Sequence, residues 1–460
     1  MTGQVVKSLA AVCFLVSGLT ACAPLIQYRT DYAVCVSPLS PPSPECETHA
    51  LQQLPGTGAA NYLLGFVEFD DQGQLWDRKQ MAAVVDKLST EAASKDLLMV
   101  VFVHGWKHSA APNDGNIETF RNVLAGLSES EAYLSSRTGL PARQVAGIYL
   151  GWRGGSVTLP LIKELTFWER KNTAQKVGYV GVAEVLSRLE LIKRVRESLT
   201  SGNSRTRLVV VGHSFGGAVV NSALAQILER GFVQTTCPAE TQCDVAGFGN
   251  LVVLINPAFE ALLFGPLSDM STERGRYFES QLPVVAVLTS EADYATRYAF
   301  PAGRWLSTFF EKEHDLTRRN ATCKQEETVD EGNANRTAVG HFEPYRTHRL
   351  YPSDEKTREQ VAEMRGSERV QMFSQSSAAW VNDKPGSKIR FGGLVLERTA
   401  TSAGRNPYLV VYVDKRLIAD HNDIDDPRVI HFLEQLIMIS SHSSEQGEQI
   451  RRKLGSPVLP

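Results

Sequence analysis

The segment Val209-Val210-Val211-Gly212-His213-Ser214-Phe215-Gly216-Gly217 decides the fold of this chain. Its β-branched run predicts a buried strand, and the apolar stretch Ala218–Leu228 predicts a buried helix directly after it. Ser214 lies on the turn between them, where Gly212 and Gly216 leave the room that a sharp turn needs. We therefore expect Ser214 to project at the end of a sheet, above a helix N-terminus that favours negative charge on a substrate oxygen.

A second signature lies about a hundred residues upstream. Leu97–Val103 is a continuous apolar run, as expected of a strand buried on both faces, and His104-Gly105-Trp106 follows it. With the serine turn, this pattern resembles the α/β-hydrolase superfamily, and the resemblance covers most of the chain from about Asn61 onward. It implies an α/β fold with a mostly parallel central sheet, helices on both faces and inserted cap or lid segments. The alternation of strand and helix patterns indicates the same class.

A serine hydroxyl needs a neighbouring imidazole to accept its proton, and the imidazole needs a carboxylate to orient it. In the superfamily the chain order is serine, acid, histidine. The segment Ser290-Glu291-Ala292-Asp293 directly follows the predicted strand Pro283–Thr289. We prefer Asp293 as the acid over Glu291, and Asp269 is a third candidate.

The histidine is expected on the loop between the final strand and the final helix. Leu409–Val413 is the last strong strand pattern, and a terminal helix follows Pro427. His421 lies between them and is our choice, whereas His431 falls within the helix pattern. The candidates considered are His314, His341, His348, His421, His431 and His442.

The resemblance also implies an oxyanion hole formed by the backbone N–H groups of Trp106 and Phe215. Candidates for contact with substrate are His104, Gly105, Trp152 and Trp168. For His104 the alternative is a satisfied histidine near the core that shapes the loop. For the two tryptophans the alternative is ordinary core packing.

The N-terminus predicts export. A positive start with Lys7 precedes the short apolar stretch Leu9–Leu19, and Leu19-Thr20-Ala21-Cys22 resembles a bacterial lipobox. By that resemblance residues 1–22 contain the signal, and Cys22 becomes a lipidated membrane anchor. Ala23 after the cysteine favours the bacterial outer membrane, with the protein facing the periplasm or the cell surface. The alternative is an ordinary cleaved signal and a secreted or periplasmic protein.

Export would place the remaining cysteines in an oxidising compartment. Their close spacing suggests local disulfides Cys35–Cys46 and Cys237–Cys243, which leaves Cys323 as the odd cysteine. A metal site is not predicted, because no histidine-rich segment accompanies these pairs.

The domain organisation follows from composition. Residues 23–60 are polar and proline-rich and are expected to form a tether between lipid and domain. Residues 61–440 are expected to form the hydrolase domain, and residues 441–460 a C-terminal tail. Within the domain, residues 159–200 are candidate cap helices, and residues 297–402 are expected to form an inserted lid or subdomain.

The composition excludes one class of partner. The 460 residues carry a formal net charge of −3, so no basic excess is available to neutralise nucleic-acid phosphates. The sequence predicts a serine hydrolase that cleaves a small-molecule or lipid carboxylic ester without a metal or organic cofactor. The alternatives are an acyltransferase using the same triad, and a catalytically silent, surface-anchored binding lipoprotein. A peptidase or thioesterase also fits, because triad chemistry does not select the leaving group.

Overall fold

A computed structural model describes residues 24–56, 60–155, 167–235, 244–442 and 452–453. Its main feature is a sheet of twelve strands, and a separate two-stranded hairpin lies beside it. The strands are β1 (Asp31–Val36), β2 (His49–Pro55), β3 (Asn61–Glu68), β4 (Leu97–Val103), β5 (Gln144–Gly151), β6 (Arg207–His213), β7 (Leu251–Ile255), β8 (Val285–Ser290), β9 (Asp315–Asn320), β10 (Gln325–Asp330), β11 (His348–Pro352), β12 (Lys388–Arg390), β13 (Leu394–Arg398) and β14 (Tyr408–Val413).

The strand order in the large sheet is β1-β2-β3-β5-β4-β6-β7-β8-β14-β11-β13-β12. Every neighbouring pair from β3 to β11 in this order is parallel. Antiparallel pairing occurs between β2 and β3 and where β13 joins β11 and β12. Parallel strands end at the same edge, so the loops after β4, β6, β7, β8 and β14 meet there.

Helices cover both faces of this sheet. They are α1 (Arg78–Ser94), α2 (Gly115–Thr138), α3 (Phe167–Val177), α4 (Ala183–Leu199), α5 (Phe215–Val233), α6 (Gly265–Arg274), α7 (Phe300–Ser307), α8 (Glu331–Arg336), α9 (Arg358–Ala362), α10 (Gly366–Val381) and α11 (Pro427–Ser440). Side chains of α1, α4 and α5 form one core with the sheet, and those of α2, α10 and α11 form another. The prediction of a mostly parallel sheet between two helical layers is confirmed.

The continuously apolar sequence of β4 is explained by burial of the strand on both faces of the sheet. Met99, Val101 and Val103 enter one core, whereas Val100 and Phe102 enter the core on the opposite face. Because side chains alternate across a strand, a strand covered on both faces needs an apolar residue at every position. The run leads directly into the loop that faces Ser214.

The segment expected to be a tether has a different structure. Residues 31–36 and 49–55 form β1 and β2 at one edge of the sheet. Arg29 is fully buried, its backbone N–H donates to Glu68 Oε1 at 2.9 Å, and its guanidinium pairs with Glu47 at 2.7 Å. Composition misleads here because these partners are distant in sequence, and the prolines lie largely in the connection between the two strands.

The predicted lid, residues 297–402, also differs from the expectation. Its strands β11, β12 and β13 extend the central sheet, and α10 contributes Phe373 and Trp380 to the core below it. The antiparallel pairing of β11 with β13 builds a sheet edge from residues that sequence alone suggested were an insertion. The part before β11 contains α7, the hairpin β9–β10 and α8.

Of the predicted cap helices over residues 159–200, residues 159–166 lie outside the described part of the chain. Helix α4 belongs to a helical layer of the sheet, since Val185, Leu186 and Leu189 are buried in the core that α1 and α5 share. Trp168, on α3, packs against Phe300 of α7 with ring centroids 5.7 Å apart.

The predicted disulfide between Cys35 and Cys46 is present, with 5.6 Å between the two Cα atoms. It closes the connection that leads from β1 towards β2. Cys323 is a free, half-buried thiol among the described residues. The predicted pair Cys237–Cys243, the anchor Cys22, the signal segment and nearly all of residues 441–460 lie outside the described residues. None of the described helices is long and apolar enough to cross a membrane.

Candidate active site

The turn at Ser214 has the strained geometry that its neighbours predict. Ser214 lies between β6 and α5 with φ 56° and ψ −122°, a conformation that side-chain-bearing residues rarely adopt. A Cβ atom on Gly212 would lie 2.6 Å from the backbone oxygen of Gly216, and one on Gly216 would collide with the backbone oxygen of Val103. Glycine is therefore required at both positions for strand, helix and β4 to approach one another.

Three residues distant in sequence form a hydrogen-bonded chain at this turn. Ser214 Oγ lies 2.6 Å from His421 Nε2, and His421 Nδ1 lies 2.9 Å from Asp293 Oδ1. Asp293 is fully buried, and Ser214 and His421 are 2 % and 7 % exposed. With Nδ1–H donating to the carboxylate, Nε2 carries a lone pair that can accept the serine proton.

The position of each residue follows from the sheet topology. Ser214 follows β6, Asp293 lies three residues beyond β8, and His421 lies between β14 and α11. All three loops leave the same edge, because β6, β7, β8 and β14 are parallel neighbours.

The other predicted acids lie elsewhere. Glu291 Oε1 accepts a hydrogen bond from the backbone N–H of Lys415 at 3.1 Å. Asp269 forms an ion pair with Arg318 at 3.0 Å. Asp293 alone among the three candidates contacts His421 in the described structure.

Asp293 is held by a hydrogen-bond network of its own. The Thr296 backbone N–H donates to Oδ1 at 3.1 Å, and the Thr296 hydroxyl donates to Oδ2. Burial would raise the pKa of Asp293, but the hydrogen bonds from His421 and Thr296 outweigh it and lower that pKa below its ordinary value. The carboxylate is therefore ionised at neutral pH and ready to stabilise an imidazolium.

His341, a rejected triad candidate, completes this network. Its Nε2 lies 3.0 Å from the Thr296 hydroxyl oxygen. Because Thr296 gives its only hydroxyl proton to Asp293, His341 donates in this contact. Burial lowers the pKa of His341 to about 4, so the ring is neutral. Sequence placed His341 in a lid beside the site, and the structure places it behind the acid.

Two further side chains hold the backbone of His421. Asn256 Nδ2 donates to the His421 carbonyl oxygen at 2.9 Å, and His213 Nε2 lies 3.0 Å from the same oxygen. Burial lowers the pKa of His213 to about 3, so it is a neutral ring that donates through Nε2–H. Sequence reasoning missed both roles. A usable signal was the position of Asn256 at the carboxyl end of β7, where the site was expected.

The loop after β4 contacts the serine closely. A Cβ atom on Gly105 would lie 2.8 Å from the His213 carbonyl oxygen and 3.1 Å from Ser214 Oγ. Trp106 follows it and is 8 % exposed, with the Lys107 ammonium 3.9 Å from the centre of its ring system. Phe215 is the first residue of α5, so its N–H belongs to the helix N-terminus beneath Ser214.

His104 and Trp152 hold each other in the core. The Trp152 backbone N–H donates to His104 Nε2, its indole N–H donates to the His104 carbonyl oxygen, each at 3.0 Å, and the rings stack. Both side chains are buried, and burial lowers the pKa of His104 to about 4. These contacts support the alternatives given above, a core histidine that shapes the loop for His104 and core packing for Trp152, rather than contact with substrate. The described residues contain no histidine, cysteine and carboxylate cluster suited to a metal ion.

Comparisons with known proteins add little to this geometry. No protein-family model matches the chain, and no curated protein matches it in sequence. Solved structures with a partial likeness are phospholipase PlaB from Legionella pneumophila in complex with thio-NAD and PlaB alone, at 14 % and 13 % identity and a TM-score of 0.21 each. These likenesses cover 56 % of this chain and 47 % and 49 % of those chains.

A third likeness is to Trichoderma reesei cutinase in complex with a C11Y4 phosphonate inhibitor, at 14 % identity and a TM-score of 0.16, covering 39 % of this chain and 67 % of that one. The chain thus spans about half the length of the phospholipase that it partly resembles. Scores this low carry no argument about activity. The fold of this chain is established by its own geometry, a mostly parallel sheet with a strained serine turn at the carboxyl end of β6.

Proposed function

We propose that this protein is a serine hydrolase that cleaves carboxylic esters through an acyl-enzyme. The observation that carries the proposal is the continuous hydrogen-bonded chain from Ser214 Oγ through His421 to the buried, ionised Asp293. A serine, an imidazole and a carboxylate held at hydrogen-bond distance are the parts that nucleophilic acyl transfer needs.

In the proposed reaction, Ser214 Oγ attacks the acyl carbon while its proton passes to His421 Nε2. Asp293 stabilises the imidazolium, and the N–H groups of Trp106 and Phe215 are the proposed donors to the oxyanion. His421 then gives the proton to the leaving alcohol, and an acyl-enzyme remains. Water, deprotonated by His421, attacks that ester; His421 then returns the proton to Ser214 Oγ as the acyl–serine bond breaks, which releases the carboxylic acid and regenerates the serine.

The test is covalent labelling of the full chain with a fluorophosphonate probe. We expect the native protein to be labelled, and Ser214→Ala and His421→Ala to lose labelling. Ser376→Ala is a matched control, because Ser376 is equally buried but bonds only to carbonyls of its own helix. Absence of labelling in folded native protein would refute an activated serine and favour a binding lipoprotein on a silent scaffold.

The same triad can also transfer its acyl group to an alcohol or amine instead of water. Products separate the two reactions: a labelled ester incubated with an added alcohol yields free acid if the protein hydrolyses and a new ester if it transfers. The hydrogen-bonded triad would support both reactions equally, and we propose hydrolysis because it needs no acceptor other than solvent water.

We also propose that the protein is anchored through lipidated Cys22 at the bacterial outer membrane. The support is the Leu19-Thr20-Ala21-Cys22 pattern and the apolar stretch before it. Cys22→Ser is expected to abolish acylation and release the protein from a lipid-anchored state. Incorporation of a labelled fatty acid that persists in this variant would remove the lipoprotein assignment.

A further inference from the structure

An exposed group of aromatic side chains directly follows the proposed catalytic acid. The aromatic patch consists of Tyr294, Tyr298, Trp305, Phe309 and Phe310, all within seventeen residues of chain. Each side chain is more than half exposed, and Phe310 is 94 % exposed. Rings contact one another in two groups, with centroids 5.3 Å apart for Tyr294 and Tyr298 and 5.2 Å apart for Phe309 and Phe310.

The patch is continuous with the active site. Residues 295–299 and α7 form one helical run, and its inward side carries Thr296, which bonds Asp293, and the buried Phe300. Its outward side carries Tyr294, Tyr298 and Trp305. One short segment therefore holds the catalytic acid with one face and presents aromatic rings to solvent with the other.

Charged side chains of both signs border the patch. Of the neighbouring acids, Glu313 pairs with Arg336 at 2.5 Å, Glu311 accepts a hydrogen bond from the neutral Asn335 amide at 2.6 Å and keeps its negative charge, and Asp315 is exposed. Arg297 and Lys312 are exposed beside the rings, and the Arg297 guanidinium lies 5.3 Å from the Tyr298 ring. The patch thus combines exposed apolar rings with exposed side chains of both charges.

Tryptophan, tyrosine and basic residues are the side chains that collect at the boundary of a lipid bilayer, where an amphipathic ring meets both headgroups and acyl chains. Exposed rings of this number on one short segment lose their contact with water when they enter that boundary. We propose that the aromatic patch inserts into the surface of a lipid bilayer, and that the ester cleaved at Ser214 is taken from that surface. This substrate assignment rests on the proposed hydrolase function.

The binding test places an environment-sensitive fluorescent amino acid in the full chain, in place of Phe310 or, as a control, Leu199. Leu199 is an exposed apolar residue at the end of α4. With vesicles of phosphatidylcholine and phosphatidylglycerol, we expect a blue shift and quenching by doxyl-labelled lipid at position 310 but not at 199. A lipid anchor at Cys22 would not by itself produce this difference.

Three results would overturn the docking proposal: no response at position 310, an equal response at 199, or a shift at 310 that rises with protein concentration in the absence of vesicles. The last result would identify a second copy of the chain as the occupant.

The activity test compares two substrates. Trp305→Ser with Phe310→Ser is expected to lower the rate on a vesicle-embedded ester about tenfold or more, since burial of one large ring changes a partition constant by at least that factor. The rate on a dissolved short-chain ester and fluorophosphonate labelling are expected to stay within about twofold of the native values, as they should for the control Leu199→Ser on both substrates.

Equal losses on both substrates would refute the docking role. Absence of labelling in native protein would instead refute the hydrolase function, and vesicle insertion at position 310 would still report on docking alone.

Discussion

Replacement of Thr296 by valine tests how the acid of the site is held. Thr296→Val keeps the size of the side chain and the backbone N–H bond to Asp293 Oδ1, but removes the hydroxyl that donates to Oδ2. A hydrogen bond to a charged group contributes about 1.5–3 kcal/mol. Since one pKa unit corresponds to about 1.4 kcal/mol, the pKa of Asp293 should rise by about one to two units.

The same change leaves the half-buried His341 Nε2–H without its acceptor. We expect the free energy of unfolding at pH 7 to fall by about 1.5–3 kcal/mol, and fluorophosphonate labelling to slow by about tenfold because His421 is less well oriented. Thr296→Ser is the matched control, because it keeps the hydroxyl and should retain most of the native stability and most of the native labelling rate.

The pH dependence has a definite sign. The lowered pKa of Asp293 stabilises the fold above the unfolded value of 3.8, and this contribution disappears as the pH falls through the folded value. The difference between native protein and Thr296→Val should therefore be largest near neutrality and shrink below pH 3.8, in urea titrations at several pH values. Equal midpoints for Thr296→Val and Thr296→Ser at pH 7 would refute the reasoning.

Three further predictions concern the scaffold. Gly216→Ala places a Cβ atom against the backbone of β4, so we expect loss of soluble, labelled protein, and a normally labelled variant would contradict the close approach. Cys35→Ser with Cys46→Ser should lower the free energy of unfolding by about 3 kcal/mol relative to the oxidised native protein, measured by urea titration; an unchanged value would show that the disulfide does not stabilise the fold. Burial lowers the pKa of His213 and of His442 to about 3 each. As the pH falls below 6.5, these two rings are protonated in the unfolded chain before they are protonated in the folded protein, so the free energy of unfolding should decrease by about 1.4 kcal/mol per pH unit for each ring. A free energy of unfolding that stays constant between pH 6.5 and 5 would exclude this effect.

Local sequence patterns were sufficient to predict structure wherever the immediate neighbours of a position permit only one type of residue. The continuous apolar run of β4 and the two glycines around Ser214 reflect steric and burial constraints that act within a few residues, so the strand, the turn and the fold class could be read from them. The disulfide Cys35–Cys46 was predicted for the same reason, because it spans a short loop.

Pairing between strands that are distant in sequence could not be predicted from local patterns. Residues 31–36 and 49–55 were expected to form a tether, yet they form strands at the edge of the sheet. Arg29, just before the first of them, forms an ion pair with Glu47 and donates a backbone hydrogen bond to Glu68. Residues 348–398 were assigned to a lid, although they extend the sheet beyond β14. Edge strands carry weaker patterns than central ones, since only part of their surface is buried.

By itself, the sequence determined a strained serine between a buried strand and a buried helix, and an order of serine, acid and histidine along the chain. Only the tertiary structure decided which acid meets His421, because Glu291 and Asp293 stand two residues apart and differ in which side of the loop they face. It also decided that Thr296, His341, Asn256 and His213 hold the acid and the histidine in place. Hydrogen bonds between groups so distant in sequence depend on how parallel strands end at one edge, and no local pattern records that arrangement.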